Sequence, residues 1–176
     1  MSLILGIDPG LAHTGWGLID AGGNRYHLVD YGVITTDARH RVGARLDKLC
    51  GGVESILATH RPREAGVENL YFTRNTSSAI PVAQARGVVL LALERGGVRA
   101  AEYTPQVIKQ AIVGQGAAEK SQVQELLRVL LGLPEVPAPD HAADALAAAV
   151  CHIHNLGFSR RAARAVQPNG PSDEGS

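Results

Sequence analysis

LILGIDPGLAHTGWGLID, residues 3–20, has the pattern of two strands joined by a tight turn. Leu3, Ile4, Leu5 and Ile7 form a short apolar run of the kind that a sheet buries, and Pro9-Gly10 then supplies turn residues. Residues 14–19 alternate in the two-residue period of a second strand, which a short turn makes antiparallel to the first. Asp8 is therefore expected at the end of a central strand.

A carboxylate in that position has two interpretations. An unpaired buried charge costs several kcal/mol, so the side chain of Asp8 needs a cation or a hydrogen-bonded turn. Asp8 either caps its own turn, as aspartate often does, or it binds a metal ion. Both interpretations stay open on this residue alone.

The rest of the chain alternates between helical and strand patterns. A Gly-rich hairpin leads into a third strand at residues 26–35, and strands at 64–68 and 98–103 each follow a helix. A crossover helix makes the fourth strand parallel to the first. Helices are predicted at residues 42–60, from Ser77 or Ser78 to 95, from 105 to 113, 120–131 and 141–155. The sequence predicts an α/β fold with a five-stranded mixed sheet, three antiparallel strands followed by two parallel ones, flanked by helices.

Composition suggests one domain. The 176 residues, 45% hydrophobic, suffice for one substantial core, and we expect a domain at residues 1–158 followed by a basic and then polar, disordered tail at 159–176. No apolar run is long enough to span a bilayer and no secretory signal is visible, so we expect a cytoplasmic protein without a membrane partner. The two cysteines, Cys50 and Cys151, lack metal-site spacing and are expected in the core.

The formal charge of zero, from 17 basic and 17 acidic residues, is unusual for a protein that binds nucleic acid electrostatically. Divalent ions bound to a cluster of carboxylates would cancel part of the acidic charge. The remaining basic groups would then be in excess.

Four side chains are candidates for such a cluster. Asp8 and Glu68 come at the carboxyl ends of neighbouring strands, where open sheets place their sites, and His141 and Asp144 share one face of the last helix. Three carboxylates and an imidazole suit Mg²⁺ or Mn²⁺. A solvated first helical turn is the alternative for the last two. Asp140 is better explained as the cap of that helix.

Five segments, in order and spacing, resemble the RuvC family of bacterial crossover-junction endodeoxyribonucleases. They are GIDPGLAHTGWGLID, VENLYFTRN, QARGVV, VIKQAIVGQGAAEKSQV and DHAADALAAAVCHIH. The resemblance implies an RNase H-like fold, a homodimer, and resolution of four-way (Holliday) DNA junctions with two Mg²⁺ per active site, which Mn²⁺ can replace. It implies cleavage that leaves 5′-phosphate and 3′-hydroxyl ends, a role in recombination and DNA repair, and partnership with the RuvA and RuvB proteins.

The same resemblance assigns roles by position. It implies that Asp8, Glu68 and Asp144 are the catalytic acids and that His141, where relatives have aspartate or histidine, is a further catalytic metal ligand. Lys120 matches a basic position near the scissile phosphate, where it would also be catalytic. The implied DNA-binding residues are Tyr71, Arg74, Asn75, Lys109 and Lys120. Without the resemblance, core packing for Tyr71 and a plain surface position for each lysine are the ordinary alternatives.

Two other functions fit parts of the sequence. The first hairpin also resembles the phosphate-binding hairpin of actin-like and sugar-kinase phosphotransferases, but 176 residues contain no second copy of that domain. A junction-binding module without catalysis is the third interpretation.

Overall fold

The computed structural model of the protein describes residues 2–22, 25–69 and 76–166, with side chains described up to residue 157 except those of 76–78. These ranges contain five strands and five helices, with three strands in succession at the start and three helices in succession at the end. The strands are β1 (Leu3–Asp8), β2 (His13–Gly22), β3 (Arg25–Thr35), β4 (Glu64–Glu68) and β5 (Arg99–Tyr103). The helices are α1 (Val42–His60), α2 (Thr76–Arg95), α3 (Pro105–Val113), α4 (Lys120–Leu130) and α5 (Asp140–Val166).

The strands form one mixed sheet in the order β3-β2-β1-β4-β5. β1 pairs antiparallel with β2, and β2 with β3, whereas β4 runs parallel to both β1 and β5. The predicted meander followed by two parallel strands is therefore confirmed. The central position of β1 places Asp8 opposite Gly15 of β2 and beside the end of β4.

Helices cover both faces of the sheet. Leu5 and Ile7 of β1 point into a core formed with α1 and α2, whereas Ile4 points into a second core formed with α3, α4 and α5. Because side chains alternate along a strand, Asp8 shares the face of Ile4, the face that α5 covers. Cys151 lies fully buried in the second core, as expected, and Cys50 is partly buried against the first.

Helix α5 lies directly on the sheet because its contact surface and the sheet beneath it carry small residues. A Cβ added to Gly6 would lie 1.8 Å from the carbonyl oxygen of Ala145, and one added to Gly15 would lie 1.8 Å from that of His141. Only a residue without a side chain permits this approach. The first turns of α5 are thereby held against the ends of β1 and β2.

Helix α5 is longer than the sequence indicated. It begins at Asp140 and runs to Val166, past the end expected near Asn155. Its continuation is rich in alanine and arginine, which are strong helix formers. The predicted end of this helix is therefore wrong, whereas the domain boundary at residue 158 and the disordered tail at residues 159–176 stay predictions.

Within the described part of the chain, no helix combines the length and apolar character that crossing a membrane requires.

Candidate active site

Asp8 and His141 are in direct contact at the carboxyl end of β1. The Nδ1 atom of His141 lies 2.8 Å from Oδ2 of Asp8, and the Asp8 side chain is only 11% exposed. Burial raises the pKa of Asp8, and the hydrogen bond to His141 opposes that rise. In the tautomer whose Nδ1–H donates a hydrogen bond to Asp8, Nε2 keeps its lone pair and can bind a cation.

Asp144 lies one turn further along α5 and is paired with a lysine of α4. Nζ of Lys120 donates to Oδ2 of Asp144 at 3.0 Å and lies 3.2 Å from Oδ2 of Asp140. Partial burial lowers the pKa of the Lys120 amine, but the two carboxylates raise it by more. The net effect is a raised pKa of Lys120. Asp140 also accepts a hydrogen bond from Gln124. Its carboxylate is thus bound by α4 instead of acting as the expected helix cap.

Three of the four candidate ligands converge closely. Asp8, His141 and Asp144 each offer one ligand atom, and these atoms all lie within 4.8 Å of one another. Two carboxylates and an imidazole, with no thiolate, are donors that suit a hard or borderline divalent cation. The chemistry of the donors therefore fits a metal ion.

Glu68 lies at the end of β4 beside this group. Burial, followed by the negative charges of Asp8 and Asp144, raises the pKa of Glu68 to about 8. Glu68 and Asp144 also line a groove of about 290 Å³ together with Lys109 and Lys120. Carboxylates crowded in this way repel one another until a cation neutralises them. The structure thus brings Glu68, Lys109 and Lys120 together with Asp144 along one groove.

Three of the predicted DNA-binding residues belong to the segment between β4 and α2. Tyr71, Arg74 and Asn75 lie outside the described residues. Their assignment to DNA binding stays a prediction.

The sequence did not single out His13, the first residue of β2. Its ring stacks on that of His141, with centroids 5.6 Å apart and an interplanar angle of 23°. Thr35, opposite it on β3, places its hydroxyl 3.4 Å from Nδ1 of His13. The resemblance segments contain His13, but nothing local distinguishes it from a solvent-facing strand residue.

The raised pKa of Glu68 predicts how the stability of the metal-free protein depends on pH. Its ordinary value is 4.5, so between 4.5 and about 8 the folded state binds more protons than the unfolded state. The free energy of unfolding must then fall as pH rises through that window. Thermal melting in EDTA is expected to give a lower Tm at pH 8.5 than at pH 6, and Glu68→Gln to raise the Tm at pH 8.5 by about 3 °C or more. A Tm unchanged by Glu68→Gln at pH 8.5 would contradict the crowding of these carboxylates.

The sheet order and the acidic group at the end of its central strand are those of nucleases with an RNase H-like fold. The family model described as crossover junction endodeoxyribonuclease RuvC matches residues 4–152. The chain belongs to this family.

Curated relatives carry the same name. The chain is 53% identical over 154 residues to crossover junction endodeoxyribonuclease RuvC of Treponema denticola, covering 88% of this chain and 86% of the relative. It is 48% identical over 169 residues to that of Rubrobacter xylanophilus, covering 96% and 92%.

A solved structure supports the fold. The RuvC structure of Thermus thermophilus is 34% identical and superposes with a TM-score of 0.84, covering 89% of this chain and 96% of that one. The T. thermophilus protein has also been solved in complex with a Holliday junction substrate, at 32% identity, a TM-score of 0.82 and coverage of 90% and 96%. The expected RNase H-like fold is confirmed. Membership of this family identifies the chain as a nuclease and excludes the phosphotransferase interpretation. It also implies the use of a divalent metal, for which the acidic group is a candidate site.

Proposed function

We propose that this chain is the endonuclease that resolves four-way DNA junctions in recombination and repair, by hydrolysis of phosphodiester bonds. The observation that carries the proposal is the convergence of Asp8, His141 and Asp144 within 4.8 Å in a member of this family. The solved relative bound to a Holliday junction supports junction DNA as the substrate.

Two Mg²⁺ ions, replaceable by Mn²⁺, would be held by Asp8, Glu68, His141 and Asp144. When bound, such ions activate water and neutralise the charge that develops on a phosphate, giving 5′-phosphate and 3′-hydroxyl ends. The donor set fits because it is mainly carboxylate oxygen and because Glu68 carries a raised pKa that a nearby cation would lower.

Side chains of the protein orient the candidate metal ligands and supply positive charge for the DNA phosphates. The hydrogen bond between His141 and Asp8 sets the direction of both side chains, and the pair lies where α5 meets the sheet. Lys120, held by Asp144 and half exposed, offers a positive charge to the scissile phosphate. Lys109, on the same groove, offers a second, and Tyr71, Arg74 and Asn75 are further proposed contacts to DNA.

A homodimer is proposed as the active form. Symmetric cutting of two strands needs two sites related by a twofold axis, which a C₂ dimer supplies. Support comes from α2, where Ile80 and Leu91 are 62% and 47% exposed and a Cβ at Gly87 would meet nothing within 4 Å. These residues follow one another at helical spacing on one face. We propose that this face packs against a second copy of the chain.

Partnership with the RuvA and RuvB branch-migration proteins, and a cytoplasmic location, are the remaining parts of the proposal. The partnership rests on the resemblance to the family alone.

One experiment tests the nuclease proposal. The protein is incubated with a synthetic four-way junction and with a linear duplex of equal length, each with Mg²⁺ and with EDTA. We expect paired cuts in two junction strands of like polarity in Mg²⁺ only, and little cutting of the duplex. Junction binding without strand breakage in any divalent metal would contradict the proposal and favour a binding module without catalysis.

A further inference from the structure

His13 lies against the site without belonging to the group of ligands. His13 is the first residue of β2, immediately after the loop that follows Asp8, and it is exposed. Its ring faces that of His141 at 5.6 Å with only 23° between the planes, a separation typical of stacked aromatic rings. His13 therefore contacts a candidate metal ligand without being one of the three grouped ligands itself.

The neighbours of the two imidazoles form a chain of contacts across the site. Thr35 lies 3.4 Å from Nδ1 of His13, His13 stacks on His141, and His141 lies 2.8 Å from Asp8. Three strands and α5 contribute to it. The Nδ1 atom of His141 is hydrogen-bonded to Asp8 at one edge of the ring, and the ring of His13 stacks against one face of the same ring. The His141 side chain is still 47% exposed, so the surrounding protein does not enclose its ring, and these two contacts orient it.

We propose that His13 is a positioning residue that holds the imidazole of His141 in its metal-binding orientation by stacking. This inference rests on the proposed function, because it concerns the same metal site. The stacking surface of His13, and not its nitrogen atoms, performs the role. Partners that orient a metal ligand commonly contribute about tenfold or more to metal affinity.

The test is calorimetric titration of the metal-free protein with Mn²⁺ alone, which needs no DNA and no turnover. His13→Ala is expected to weaken Mn²⁺ binding by about tenfold, because the ring of His141 is released. His13→Phe keeps an aromatic face in place and is expected to bind within about twofold of the wild type. His27→Ala, which removes an exposed histidine of β3 at the opposite end of the sheet, is the matched control and is expected to bind as the wild type does.

The outcomes separate this inference from the proposed function. Wild-type affinity in His13→Ala would overturn the role of His13 while leaving the metal site intact. Equal weakening in His13→Ala and His13→Phe would assign the effect to a nitrogen atom and overturn stacking as its cause. Asp8→Asn is expected to abolish binding, and failure of the wild type itself to bind Mn²⁺ would overturn the metal site and the role of His13 with it. Metal-free melting curves establish that all variants are folded.

Discussion

Asp8→Asn is expected to lower the rate of junction cutting by at least about 10³-fold while leaving the affinity for the junction intact. Asp8 lies at the end of the central strand and is hydrogen-bonded to His141. Its ligand atom lies within 4.8 Å of those of His141 and Asp144. An amide of the same shape keeps the packing but removes the negative charge that attracts a cation. Single-turnover cutting in Mg²⁺ and a binding isotherm in Ca²⁺ or EDTA measure the two effects.

The junction should bind at least as tightly to the variant, since one fewer carboxylate near the phosphates reduces repulsion. Glu68→Gln and Asp144→Asn are expected to behave in the same way. Asp47→Asn, on the exposed face of α1, is the matched control and should cut at the wild-type rate. Loss of junction binding in all three site variants would show that these side chains maintain the fold instead of the chemistry, and normal cutting by Asp8→Asn would exclude the proposed site.

The second large effect is expected from Gly15→Ala, a change of one methyl group beside the site. The new Cβ would lie 1.8 Å from the carbonyl oxygen of His141, so the first turn of α5 must move away from β2. Displacing His141 and Asp144 by about 1 Å relative to Asp8 is enough to cost about 10²-fold in cutting rate. The overpacked contact should also lower the free energy of unfolding by about 1–3 kcal/mol.

Gly51→Ala is the matched control for this change. Gly51 is exposed on α1, and an added Cβ would meet nothing within 4 Å. Alanine there should raise stability by up to about 1 kcal/mol and leave cutting unchanged. Urea unfolding and cutting rates of both variants provide the comparison. A Gly15→Ala protein with wild-type stability and activity would mean that the close contact between α5 and the sheet does not position the site.

Local patterns predicted most of the secondary structure because each pattern arises from neighbouring residues. The bounds of α1 and β4 are as expected, and the order of antiparallel and parallel strands follows from short turns and crossover helices. The end of α5 was missed because the sequence after Phe158 was interpreted by its polarity, although its alanines and arginines favour helix. Asp140 was assigned to a cap because nothing local reveals Lys120 and Gln124 on another helix.

The sequence by itself determined which strands are antiparallel and which are parallel, the position of Asp8 and Glu68 at strand ends and the shared helical face of His141 and Asp144. Periodicity and turn residues encode these features over short distances. Only the tertiary structure decided that His13 stacks on His141, that Lys120 joins Asp144 and Asp140, and that burial with neighbouring charge raises the pKa of Glu68. Those contacts join segments far apart in the chain, so no local pattern encodes them. Glycines in the sheet let α5 lie close to its backbone, which brings the His141 end of that helix to β2.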